Sequence, residues 1–289
     1  MPELRELVAV ELKAPVDPRV SEIASAIARQ YGSAALGVLF YGSCLREQQL
    51  DGLMLDFYLI VSDYRAAYTK RWMALANWLI PPNVFYFEQS GTAAKYAVLS
   101  EAQFAHECSP EAWQVSTAAR FSQPSRLVWS ASAAADERII DIVACAAPSL
   151  LGWTSSVAPR NARGNDLWKR AFALTFAAEL RAERNERSGR IVDMDSQRYE
   201  RFAEAAMPVH GLRANGEGWW RSKQRHGKFY SLVRLAKASL TFAGGADYIA
   251  WKINRHAGTK IRLKPWQRRH PLLAGISLLP RLLRSGAVH

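Results

Sequence analysis

Gly42 and Ser43 follow the apolar run Leu36 to Tyr41, and Asp56 stands near the start of the next apolar run, Met54 to Val61. A strand that ends in Gly-Ser and turns into a helix offers backbone N–H groups, a hydroxyl and the positive end of a helix dipole to phosphate oxygens. Glycine is required where backbone must approach a ligand closely. A carboxylate on the adjacent strand suits Mg²⁺, which prefers oxygen ligands from one or two carboxylates together with the phosphates themselves. These are the parts of a nucleotidyl-transfer site, in which an acceptor oxygen attacks the α-phosphorus of a nucleoside triphosphate and pyrophosphate leaves.

The pattern of apolar residues predicts the elements that hold this pair. Val20, Ile23, Ile27 and Tyr31 have helical spacing, so residues 18–31 form a helix under the first strand, 36–41. Asp51-Gly52 turns the chain back into strand 54–61, and a helix running through Trp72 and Trp78 ends at Pro81-Pro82. Strands 83–88 and 95–100 follow. The predicted fold is α+β, a mixed sheet of nucleotidyltransferase type, with residues 1–130 as that unit. Beyond residue 130 the segments 133–147, 165–187 and 197–206 read as helices, which makes 131–240 a helical unit. No G-x-G-x-x-G and no P-loop occurs.

Charge is unevenly distributed. Residues 221–289 hold fifteen Lys and Arg against one acid, a balance of +14, whereas the rest of the chain is at −2, which together make the net +12. Such a tail, with Trp219 and Trp220 just before it and Phe229, Tyr230, Tyr248, Trp251 and Trp266 among its basic residues, suits an anionic membrane surface or a nucleic acid equally well. Residues 241–289 are expected to form a basic amphipathic tail. Three cysteines without C-x-x-C spacing argue against a disulfide framework or a zinc site. The acidic N-terminus lacks a secretory or transit pattern, and no apolar run reaches the ~20 residues of a spanning helix. The expected setting is the cytoplasm.

Several blocks taken in order resemble the mitochondrial-type phosphatidate cytidylyltransferases, the translocator assembly and maintenance family. They are Tyr41-Gly42-Ser43, Met54-Leu55-Asp56-Phe57, Asn83 to Tyr86 and Lys95 to Ser100. Ala119 to Pro124 resembles the family's Gly-Arg-Leu-x-Lys-Pro, Leu174 to Arg181 its Leu-Ser-Tyr-x-Gly-Asp-x-Arg, and Lys237 to Gly244 its Lys-Gly-Ile-x-Thr-Ala-Gly. The resemblance implies synthesis of CDP-diacylglycerol from CTP and phosphatidate. It implies that Gly42 and Ser43 hold phosphates of CTP, that Asp56 ligates Mg²⁺ and that Lys95 offsets phosphate charge. Arg120, Glu179, Arg181 and Lys237 would bind substrate. Many nucleotidyltransferases carry Asp-x-Asp on the second strand, but Met54 stands two before Asp56, as in the family. Asp63 and Glu88 are therefore candidates for a further metal ligand, with Asp51 behind them; Asp63 equally suits a helix N-cap and Asp51 a turn. Cys44 occupies a family glycine position. Under this reading the tail lies on the anionic inner face of the cell membrane, and nucleic acid is not the expected partner; a nucleotidyltransferase acting on nucleic acid, or a nucleic-acid-binding protein with this fold, is the alternative.

Overall fold

The computed structural model describes residues 2–47, 49–50, 52–159, 161–178, 186–206, 216–241 and 264–266. In chain order the elements are α1 (Pro2–Leu12), α2 (Pro18–Arg29), β1 (Ala35–Tyr41), α3 (Ser43–Glu47), β2 (Leu55–Val61), α4 (Tyr64–Ala67), α5 (Arg71–Leu79), β3 (Asn83–Gln89) and β4 (Thr92–Ser100). There follow α6 (Glu101–Cys108), α7 (Ser116–Phe121), β5 (Ser125–Ser130), α8 (Ala133–Ala144), α9 (Ala146–Ser155), α10 (Gly164–Ala177), α11 (Glu186–Asp193), α12 (Ser196–Ala206) and α13 (Glu217–Thr241).

The strands form one mixed sheet in the order β3-β4-β2-β1-β5, in which only β2 and β4 run parallel. The fold is the α+β arrangement expected, a mixed sheet followed by helices. Alternation along the strands separates two cores. Phe40, Phe57, Leu59, Tyr96 and Val98 face α2, whose Val20, Ile23 and Ile27 are buried at the predicted spacing. Pro18 at its first turn and Asp17 as N-cap, accepting from the Arg19 N–H, start that helix. Leu39, Tyr58, Ile60, Ala97 and Leu99 face the other way, into a core built from α6, α7, α8 and α9 that continues to Trp168, Phe172 and Tyr199.

α1 belongs to that second core through Leu4, Val8 and Leu12, and it packs on both α8 and α12. Its Glu11 pairs with the buried Arg198 of α12, whose Nη1 also donates to the Ser122 carbonyl at 3.1 Å. N-terminal and C-terminal helices therefore share one interior.

Three expectations are corrected. The single helix predicted after β2 is two, α4 and α5. β5 pairs with β1 where no strand was expected. In α13, Trp220 is buried with its indole N–H donating to the Trp153 carbonyl, so its indole is not available to lipid or bases, and the half-buried Trp219 packs against Trp153. Most of the tail expected at 241–289 lies outside the described residues. Among the described residues no helix is long and apolar enough to cross a membrane.

Candidate functional site

β1 delivers the chain to the Gly42 turn, and the antiparallel register places Asp56 directly across from Tyr41. Gly42 has φ +99°, where side-chain-bearing residues are strained, and a Cβ there would lie 2.9 Å from Asp56 Oδ2. Glycine is what lets this carboxylate sit against the turn. Ser43 opens α3, which is a single turn of five residues, so the dipole contribution expected at this turn is small. The turn's own backbone N–H groups and the Ser43 hydroxyl remain as donors.

Cys44 fixes the turn from behind. Its Sγ–H donates to the Met54 carbonyl at 3.4 Å, linking α3 to the approach of β2. Burial, followed by the charge of Asp56, pushes the thiol up to about 11, so it stays protonated and is no nucleophile.

The parallel register of β2 and β4 sets Lys95 beside Asp56, and Nζ lies 3.0 Å from Oδ1. Their side chains are 34% and 20% exposed, which leaves the pair within reach of a ligand. Asp56 Oδ1 itself is buried and accepts no aligned hydrogen bond among the described residues. Ser125, Tyr41, Asp56, Lys95 and Tyr86 form one row across all five strands, on the face turned toward the helices.

Arg120 reaches this face from α7, and its Nη1 donates to the Tyr58 hydroxyl at 3.0 Å. Tyr58 lies two residues along β2 from Asp56, hence on the same side. Arg46 of α3 donates to Gln123 Oε1 at 3.1 Å, and Gln123 is held by its own bond to the Ala119 carbonyl at 2.9 Å. On this face, toward the Gly42 end of the sheet, Asp56 is thus joined by Lys95, Arg120 and Arg46. Tyr58, Arg46 and Gln123 are additions to the residues read from sequence. Strand alternation carried the signal for Tyr58, and a position three past Ser43 on a helical turn carried it for Arg46.

No protein-family model matches this chain, and no curated protein matches it. A solved nucleotidyltransferase-like protein from Exiguobacterium sibiricum is similar over 92% of each chain, at 11% sequence identity and a TM-score of 0.30. A likeness that distant says nothing about substrate.

The other candidate residues are placed elsewhere. Asp63 lies beyond the opposite end of β2, roughly 20 Å from Asp56 at ~3.3 Å per residue. There it caps α4, accepting from the Arg65 and Ala66 N–H groups at 2.7 and 2.9 Å. It is no co-ligand of Asp56. Glu88 is on the edge strand β3, two strands away from β2, and accepts from the Tyr86 hydroxyl at 2.5 Å. Lys237 is buried, and its Nζ donates to the carbonyls of Ile80 and Pro82, the latter at 2.8 Å. That corrects its assignment to substrate: it fastens α13 to the turn between α5 and β3. Burial and then the charge of Arg234 push its amine down to about 7. Glu179, Arg181 and Asp51 lie outside the described residues.

Among the described residues no cluster of three or more His, Cys, Asp or Glu is placed to hold a metal ion. Among the described residues at the turn, Asp56 lies against Gly42 and Glu47 closes α3, near enough for its charge to act on Cys44. Mg²⁺ accepts a single protein carboxylate when phosphates and water supply the rest, so the residues fit an ion carried in by a nucleotide.

Proposed function

We propose that this chain is a nucleotidyltransferase that uses CTP and phosphatidate to make CDP-diacylglycerol and pyrophosphate. The observation that supports it most is the contact of Asp56 with the Gly42 turn on one side and Lys95 on the other, with Arg46 and Arg120 on the same sheet face. The choice of cytidine and of phosphatidate rests on the sequence blocks alone.

In this reading the Gly42-Ser43 backbone and the Ser43 hydroxyl hold the triphosphate, since closely spaced N–H groups suit phosphate oxygens. Mg²⁺, held by Asp56, would offset charge on the phosphates. Lys95, which pairs with Asp56, turns to the nucleotide and neutralises its developing charge. Arg120 and Arg46 bind the acceptor phosphate, for which guanidinium geometry is well matched. One acceptor oxygen forms the new bond to the α-phosphorus, and the bond to the β-phosphate breaks. That oxygen is already anionic, so no general base is needed, consistent with a site face that carries no histidine among the residues named.

Incubation of the protein with Mg²⁺, detergent-dispersed phosphatidate and each of the four nucleoside triphosphates in turn tests the reading. CDP-diacylglycerol and pyrophosphate should appear in equal amounts with CTP. Equal product with ATP would remove the cytidylyl assignment and leave the transfer chemistry standing.

A further inference from the structure

α5 has its apolar side outward. The side against the sheet carries Ala74 and Asn77, both buried. Asn77 is engaged with backbone: its Nδ2 donates to the Val98 carbonyl at 2.9 Å and its Oδ1 accepts from the Asn83 N–H. On the opposite side Arg71, Trp72, Leu75, Trp78 and Leu79 fall within an arc of about 120°, at roughly 100° per residue. Trp72, Leu75, Trp78 and Leu79 are 49, 56, 67 and 52% exposed. They are four of the nine exposed large hydrophobic side chains among the described residues, gathered on one nine-residue helix. A contiguous patch of this kind marks an interaction surface.

The rim decides the chemistry of the partner. Lys70 and Arg71 are exposed at the start of the helix, and Arg65 and Arg71 line one groove with Leu75 and Trp78. Asp63 lines the same groove while capping α4, and against its single negative charge stand Arg65, Lys70 and Arg71, which leaves the rim positive. The complement is therefore anionic and apolar together. A second copy joined through a two-fold axis would set these cations against themselves. For a nucleic acid the indoles would stack, but Leu75 and Leu79 between them would gain nothing. A bilayer accommodates every part: indoles at the headgroup level, leucines at the acyl boundary and basic residues among anionic headgroups.

Arg234 donates to the Pro81 carbonyl at 2.6 Å, and Lys237 holds the adjacent carbonyls, so α13 ends beside the exit of α5.

We propose that the outer face of α5, Trp72, Leu75, Trp78 and Leu79 with the Lys70 and Arg71 rim, seats the protein on an anionic lipid surface. This holds whatever the site at Asp56 transfers. The test is flotation of the full chain with phosphatidylcholine vesicles, with and without phosphatidylglycerol. It compares wild type, Trp72→Gln with Trp78→Gln, and Lys70→Glu with Arg71→Glu, with thermal unfolding and oligomeric state measured for each. Both pairs are exposed, so the unfolding transition should be unchanged. Partitioning onto phosphatidylglycerol vesicles should fall at least tenfold in each variant. Unaltered partitioning of the tryptophan variant overturns the proposal. So does a wild-type dimer that the same substitutions convert to monomer, which would assign the face to a second copy.

Discussion

At the residue scale the account depends on Gly42. Its φ of +99° and the 2.9 Å that a Cβ would leave to Asp56 Oδ2 mean that alanine carries two penalties, backbone strain and displacement of the carboxylate. The strain alone costs about 1–3 kcal/mol. Gly42→Ala should therefore lower turnover by at least about tenfold and also lower the unfolding midpoint. Kinetics together with thermal unfolding check this, and a variant of full activity would show that the turn does not shape the site. The Gly42, Ser43 and Asp56 trio was legible because a strand-ending glycine and a carboxylate at the start of the next strand meet in any antiparallel pair. Lys95 was found through its sequence block. Its contact with Asp56 depends on β2 and β4 being parallel neighbours, which no local pattern specifies. Asp63 shows the converse: an acid near a strand reads as a ligand until the strand's direction shows it at the far end, capping a helix.

At the scale of elements, the apolar runs that form β1 and β2 and the helical spacing of α2 were legible, whereas β5 was not. Ser125 to Ser130 is short and follows directly on α7, and what makes it a strand is the free edge of β1. The break between α4 and α5 likewise follows from tertiary packing of Tyr64 and Tyr68 under the sheet. α13 supplies a testable joint through Lys237. An amine whose pKa falls from the usual ~10.4 to about 7 on folding binds fewer protons in the native state than in the unfolded state. Its protonation thus penalises folding fully below pH ~7, and the penalty fades as pH rises toward ~10. Wild type should gain stability between pH 7 and 9 relative to Lys237→Met. At pH 9 the variant should be the less stable, by about 1–3 kcal/mol, because the Ile80 and Pro82 carbonyls lose their donor. Unfolding curves for both proteins at the two pH values test this, and parallel pH dependence would show that the amine keeps its ordinary pKa.

For the whole molecule, the sheet and the helices after residue 130 share one interior, joined by α1 and by the Glu11–Arg198 pair. Division at residue 130 was suggested by the change from strands to helices, but a composition shift carries no information about which helices share a core. The consequence is that the sheet face holding Asp56 and Lys95 packs on helices drawn from both halves of the chain, α6 before residue 130 and α8 after it. The site's chemistry is then a property of the folded whole, and one substitution isolates it. Asp56→Asn keeps the side-chain volume and removes the carboxylate that touches the Gly42 turn. With CTP, Mg²⁺ and detergent-dispersed phosphatidate, the account predicts that formation of CDP-diacylglycerol falls by at least about a hundredfold while the unfolding midpoint stays close to wild type. Asp56→Asn protein that forms product at the wild-type rate would contradict it.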